Sequence, residues 1–360
     1  MKNKIHLQFF AEAGTLVNTL TNGYANAHTG ESQPFEGANS LSGELKTFYD
    51  TELLENARVE MFYAQFGKKQ PLPAKHGNTV EWRKWNTFAK ADKLEEGVIP
   101  TGQKFGMSTK TGSIEQYGTY AAITDTLELR AYDDTILGAT EEMGASAAET
   151  QETLIRDALL VNTNVIYCDN INLADGSVAD TPSSPEEMEA SAEKMSVLTP
   201  QMVSKVFTKM KKDRVPTIGG KYYAVVHPSV AHDLRNCKDW IEAHKYAAPG
   251  EIFNGEVGEL HNCRFIENVF APVLDGEYQN KAGGVTYATY FFGKDSFGII
   301  DPEGGALRMI VKSKEQAGGP LDQFSTVGYK FETNGATVLY PERLVRVMSC
   351  STYSDTDEAN

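Results

Sequence analysis

The chain has 360 residues, 41% of them hydrophobic and 23% charged, enough for about two domains with buried cores. Its 34 basic and 49 acidic residues leave a formal net charge of −15, which argues against a nucleic-acid-binding surface, since that requires clustered Lys and Arg. Apolar runs such as Tyr222 to Val226 are far shorter than the roughly 20 residues of a membrane-spanning helix.

At the N-terminus, Ile5, Leu7, Phe9 and Phe10 are interrupted by His6 and Gln8. That leaves no continuous apolar stretch for a signal peptide, and the segment reads as a short arm docking on a neighbour. Residues 12 to 40 are rich in Gly, Asn, Thr, Ser and Ala and read as an extended arm. Leu45, Phe48, Tyr49, Leu53, Ala57, Met61 and Phe62 then predict a helix from Ser42 to Phe66, stopped by Gly67, Pro71 and Pro73.

Thr79 to Trp85 alternates, with Val80, Trp82 and Lys84 on one face and Glu81, Arg83 and Trp85 on the other. A second strand is expected over Ser113 to Thr124, with a polar tip at Ala91 to Thr111 between them. The two strands read as a long β-hairpin, which is marginal alone and so needs a surface to rest on. The longest helical pattern follows, from a cap at Asp133 or Asp134 through Ile136, Met143 and Leu154 to Tyr167, a rod of about 50 Å. Gly144 allows a bend within it.

Residues 170 to 190 read as a loop, and Thr199 to Lys212 as an amphipathic helix with Met202, Val203, Val206, Phe207 and Met210 inward. Strands are expected at Tyr222 to Val226, Arg264 to Asn268, Thr286 to Phe292, Phe297 to Ile300, Leu307 to Val311 and Leu344 to Met348, and a helix from Pro228 to Leu234. Asn334-Gly335 between Tyr329–Glu332 and Thr337–Tyr340 is a hairpin signal, and the tail from Ser354 is expected to fray. The fold class is α+β.

Chemistry-bearing motifs are absent: no phosphate loop, dinucleotide fingerprint, zincin helix or nucleophile elbow occurs. Cys168, Cys237, Cys263 and Cys350 form no C-x-x-C pair and read as free, mostly buried thiols. His227, His232, His244 and His261 fall close together, with Asp233 and Glu259 near in sequence, but not at ligand spacings on one face. His227 is expected to end a strand and hydrogen-bond there. The pairs Glu95-Glu96, Glu141-Glu142 and Glu186-Glu187 read as solvated, and Lys90, Lys93, Lys104 and Lys110 as a solvated tip or an intersubunit ion pair. No catalytic, cofactor or metal residues are assigned, and no enzyme is expected.

Taken in order, these parts resemble the tailed-phage major capsid proteins of the Hong Kong 97 (HK-97) fold, and within them the family named after coliphage N-4. The similarity spans nearly the whole chain and is most specific at Tyr222 to Leu234 (YYAVVHPSVAHDL) and Gly250 to Phe270 (GEIFNGEVGELHNCRFIENVF). Leu7-Gln8-Phe9-Phe10-Ala11 is similar to the start of many such proteins from phages of Firmicutes. The resemblance implies an arm at 1–40, a helix and linker at 41–75, an extended loop at 76–125, a peripheral domain with the spine helix at 126–218, an axial domain at 219–312, and C-terminal strands at 313–360 returning to the peripheral domain.

It further implies hexamers and pentamers closing a shell around double-stranded DNA without sequence-specific contacts, in a virion assembled in the host bacterial cytoplasm. Expected partners are a separate scaffolding protein, since the region before the hairpin is too short for a fused one, a portal protein, and in some shells a decoration protein; no membrane is involved. No intersubunit covalent crosslink can be matched to this sequence. Candidate intersubunit contacts are Phe9, Phe10, Trp82, Arg83, Trp85, Ile136, Met143 and Leu154. An encapsulin-type compartment and a soluble α+β enzyme without a recognised motif are the competing readings.

Overall fold

A computed structural model describes residues 62–75, 77–86, 88–91, 93, 102–131, 135–237, 258–305, 307–317, 321–354 and 356–360, with short strands at Val17–Asn18, Tyr24–Ala25 and Ser32–Gln33. Phe9, Phe10, His244, the helix cap at Asp133 or Asp134, and all but the end of the Ser42–Phe66 helix lie outside these residues. Of that last helix the described part is a single 3-10 turn, Tyr63–Gln65. The chain divides into a larger unit (Met61–Ile114, Gln151–Glu303, Asn334–Asn360) and a smaller one (Met1–Glu60, Glu115–Thr150, Gly304–Thr333).

The larger unit is built on a mixed seven-stranded sheet in the order Gly258–Leu260, Cys263–Glu267, Tyr222–Val226, Thr286–Phe292, Leu344–Ser349, Val165–Tyr167, with Val273–Leu274 beside Thr286–Phe292. Every residue of Thr286–Phe292 and of Leu344–Ser349 is buried. Such continuous burial needs cover on both faces. On one face lie the helices Pro200–Lys212 and Pro228–Asn236, whose Met202, Val203, Val206, Met210, Val230 and Leu234 pack with Tyr222, Ala224, Val226 and Phe291. On the other, Tyr63, Phe66, Ile155 and Leu159 pack with Val225, Tyr290, Phe292 and Leu344. Residues 222 to 226 thus divide between the two layers by strand alternation.

Local chemistry fixes the helix starts. Thr199 accepts a hydrogen bond from the Met202 amide through Oγ1 (3.3 Å), and His227 accepts one from the Ser229 amide through Nδ1 (3.3 Å), each with Pro at the first turn. The expected strand-end role of His227 is therefore met by helix capping.

Several boundaries differ from expectation. The long helix runs Thr135–Leu159, 25 residues and about 38 Å, and Val165–Tyr167 is a strand instead of its last turn. Asn162 and Asn164 follow it, donating through Nδ2 to the Leu344 carbonyl at 2.6 and 3.1 Å. The stretch 170 to 190 is not a bare loop: Asn170–Asn172 pairs with Val178–Asp180 and Lys194–Ser196. The tail is docked, with Asp357 accepting from Ser229 Oγ and Tyr287 Oη (both 2.8 Å) and Asn360 bonded to the Val273 backbone.

Asn334-Gly335 is no turn, because Phe324–Val338 is one 15-residue strand. A Cβ on Gly335 would stand 2.4 Å from the Leu154 carbonyl oxygen, so the glycine serves close approach of strand to helix. In the larger unit this strand's end pairs with Phe297–Pro302, which pairs in parallel with Lys68–Leu72.

In the smaller unit, Glu115–Thr124 and Phe324–Thr333 form ten antiparallel pairs, flanked by Arg308–Lys312 on one side and Val17–Asn18 on the other. Ile136, Ala139 and Met143 cover Ile123, Leu127 and Val327. Tyr329 Oη lies 3.2 Å from Ser146 Oγ and 3.3 Å from Thr150 Oγ1.

One buried acid ties the beginning of the larger unit to its core. Glu152 Oε1 accepts from the amides of Phe62 (3.0 Å) and Tyr63 (3.2 Å) and from Asn268 Nδ2 (3.0 Å), while Oε2 is buried without a hydrogen-bond partner among the described residues. Burial raises its carboxyl above the ordinary value of about 4.5, against the opposing pull of those donors and Arg156. With the folded value raised, the native state holds more protons between the two values, so this group's contribution weakens as pH rises through that window. Glu152→Gln is expected to flatten that slope in denaturation measured upward from pH 4.5 while keeping an acceptor for the two amides. Glu152→Ala should cost about 2–4 kcal/mol by orphaning buried donors; a loss near zero would show that the anchor contributes nothing.

Candidate functional site

The hairpin pairs Thr79–Trp85 with Met107–Ser113, from Thr79↔Ser113 to Trp85↔Met107. This corrects the expected partner, Ser113 to Thr124, which pairs with Phe324–Thr333 instead. Met107–Ser113 is polar and solvent-exposed apart from Gly112, so it lacks the alternation that marks a half-buried strand.

The two faces of Thr79–Trp85 do different things. Val80, Trp82 and Lys84 are half-buried, and Glu81, Arg83 and Trp85 are exposed. The Trp82 ring lies over Gly298, where a Cβ would stand 2.8 Å from Cζ2. Lys84 Nζ donates to Glu342 Oε1 at 3.0 Å and sits 4.5 Å from the Tyr340 ring, which also carries the Arg343 guanidinium at 3.8 Å. These contacts anchor the base of the hairpin to the rest of the larger unit.

Beyond Trp85 the strands stay together through the Asn86 amide and the Gly106 carbonyl (3.0 Å). Here Trp85 stacks on Phe105 at 4.2 Å between centroids, and Phe105 on Phe88 at 5.4 Å. The rings are nonetheless 60%, 59% and 55% exposed, and Met107 is exposed beside them. Lys90, Lys93 and Lys104 are exposed around the cluster. Three stacked aromatics on solvent form a patch of the kind that marks an interaction site.

The sequence-derived candidates are not gathered in one place. Trp85 and Arg83 share the exposed face, and Arg83 lies 3.7 Å from Glu81. Trp82 faces the larger unit. Ile136 and Met143 are half-buried against the smaller unit's core, and Leu154 is half-buried on the same helix. Phe88, Phe105 and Met107 were not anticipated. They carry no local pattern, because Met107–Ser113 is almost wholly exposed; only the register, with Trp85 opposite Met107, brings them beside Trp85.

Among the described residues no group of three or more His, Cys, Asp and Glu is placed to hold a metal ion. Cys168, Cys263 and Cys350 are buried and Cys237 half-buried. Burial pushes the Cys263 and Cys350 thiols up to about 12, so they stay protonated and unreactive near neutrality. Among the described residues no helix is long and apolar enough to cross a membrane.

The same architecture occurs in solved phage capsids. The capsid of cyanophage P-SCSP1u superposes with a TM-score of 0.62 at 14% identity, over 86% of this chain and 94% of that one. The cyanophage Pam1 capsid asymmetric unit gives 0.65 at 11% identity, over 87% and 98%. The acid-stable capsid of Helicobacter pylori bacteriophage KHP30 gives 0.60 at 11%, over 84% and 95%. The fold is thus the HK-97-like α+β capsid fold. No curated relative matches the chain. The phage capsid protein family model matches residues 108–341, more than half of the sequence, and the chain belongs to that family. It is a structural subunit of a phage capsid and so a component of the virion.

Partial burial pulls the Glu342 carboxyl upward, but hydrogen bonds from its own amide and from Lys84, with the Lys84 and Arg343 charges, hold it below its ordinary value. A depressed acid gives stability that is present above its unfolded value of about 4.5 and lost as pH falls through the lower folded one. Trp82 fluorescence should therefore change as the hairpin base loosens below pH 4.5, and Glu342→Gln should show the loosened signal at neutral pH. An acid titration identical in wild type and variant would remove this ion pair from the anchor.

Proposed function

We propose that this subunit assembles with copies of itself into hexamers and pentamers that close an icosahedral shell around double-stranded DNA, through an arm-over-neighbour contact made by the hairpin tip. The observation that carries this reading is the solvent-facing stack of Trp85, Phe105 and Phe88 on a hairpin whose base is fixed. Each ring would contribute on the order of 2–3 kcal/mol if covered, before association costs.

In this reading residues 76–125 are the extended loop, 126–218 the peripheral domain and 219–312 the axial domain, with 1–40 as the arm, 41–75 as helix and linker, and 313–360 returning to the peripheral domain. The candidate contacts are Phe9, Phe10, Arg83 and Trp85, with the exposed parts of Trp82, Ile136, Met143 and Leu154. The chain would be a member of the coliphage N-4-type group and would act without catalysis. A separate scaffolding protein would guide assembly in the host cytoplasm, and a portal protein and, in some shells, a decoration protein would join it. The −15 charge supports containment of DNA without adhesion.

Trp85→Ala with Phe105→Ala tests the contact. Recovery of shells, read by negative-stain microscopy and sedimentation, should fall by about tenfold or more. The subunit's thermal melting should stay unchanged, because both rings are exposed. Shells at wild-type yield would remove the tip from the assembly contact.

A further inference from the structure

The smaller unit contains a strand that nothing in the described chain completes. Arg308–Lys312 (RMIVK) pairs through one edge with Phe324–Thr333, from Arg308↔Lys330 to Lys312↔Thr326, and has no strand on its other edge among the described residues. All five residues are exposed. Met309 and Ile310 are 37% exposed and Val311 49%, with Leu307 and Leu321 exposed near them. A strand covered on one face shows alternating burial, and this one shows none. β-branched and apolar residues on an uncovered edge form a template for further strand pairing, which natural chains otherwise blunt. The opposite edge of the same sheet shows that it accepts short additions, since Val17–Asn18 lies in parallel beside Ala122–Ile123.

Charge narrows the occupant. Arg308, Lys312 and the neighbouring Lys330 are exposed cations on a chain whose net charge is −15, so an acidic copy of the chain complements this edge. The same strand of that copy does not. In-register antiparallel self-pairing sets Arg308 opposite Lys312, and parallel pairing stacks like on like, both unfavourable.

We propose that the outer edge of Arg308–Lys312 takes an extended segment, different from itself, from a second copy of this chain, forming a strand-addition contact between subunits. It rests on the reading that the subunit assembles with its copies, and it adds a second contact independent of the hairpin tip.

Hydrogen exchange measured on assembled wild-type shells and free subunits reads the contact directly. Amides 308 to 312 should exchange at least about tenfold more slowly in the shell; equal rates overturn the inference. Met309→Lys with Val311→Lys adds charge to an edge already exposed, so free subunits should melt as wild type and shell yield should fall about tenfold. Wild-type yield from that variant overturns it. A photocrosslinking side chain at position 310 should capture another copy at a segment outside 308–312, and capture at the same strand or of a different protein overturns it. A wild-type chain that stays monomeric under all conditions fails the assembly reading itself, and this inference with it.

Discussion

The larger unit depends on six consecutive cross-strand pairs, from Tyr287↔Ser349 to Phe292↔Leu344, that join two fully buried strands at the centre of its sheet. Strands buried on both faces can be satisfied only by layers above and below, and the helices Pro200–Lys212 and Pro228–Asn236 supply one of these. Residues around Tyr63, Ile155 and Leu159 supply the other. Leu344 is also the last residue of a short run with consequences outside the sheet. The turn Pro341–Arg343 precedes it, and Tyr340, Glu342 and Arg343 are the groups that hold Lys84 at the hairpin base. The rigid centre thus sets the position from which the hairpin projects.

That division between a dry interior and uncovered appendages suits a shell subunit. A soluble monomer gains nothing by stacking Trp85, Phe105 and Phe88 in water or by leaving Met309, Ile310 and Val311 bare. Each feature is a small apolar area, worth a few kcal/mol when covered. Contacts of that size are weak singly and can be made and unmade during assembly, while their repetition around a closed surface holds the whole.

Much of the interior was legible in the sequence. Tyr222–Val226 and Thr286–Phe292 are continuous apolar runs, and Thr199-Pro200 announces a helix by capping chemistry that needs no tertiary information. The errors fall where distant partners decide. Asn334-Gly335 has the local chemistry of a turn, yet Gly335 is set by the Leu154 carbonyl, 181 positions earlier in the chain. The long helix stops at Leu159, and beyond it Asn162 and Asn164 bond the Leu344 carbonyl, a partner no local pattern reveals. The hairpin register was hidden because Met107–Ser113 buries almost nothing, so it carries no pattern. The aromatic tip was half-seen through Trp85 and missed at Phe105 for the same reason.

The uncovered surfaces also bear on how such a chain could close rings instead of pairing off. A two-fold contact uses the same patch on both partners, whereas a ring needs two different patches that fit each other. The cations at both ends of Arg308–Lys312 oppose pairing of this strand with itself, in either direction, by placing like charges together. The hairpin tip also carries exposed lysines at 90, 93 and 104. Such a guard at the Arg308–Lys312 edge would leave it open to acidic surfaces elsewhere on a chain with 15 excess negative charges. If these patches are the contact surfaces proposed above, like-charge exclusion and overall acidity would together favour head-to-tail contact, the kind that propagates around a ring.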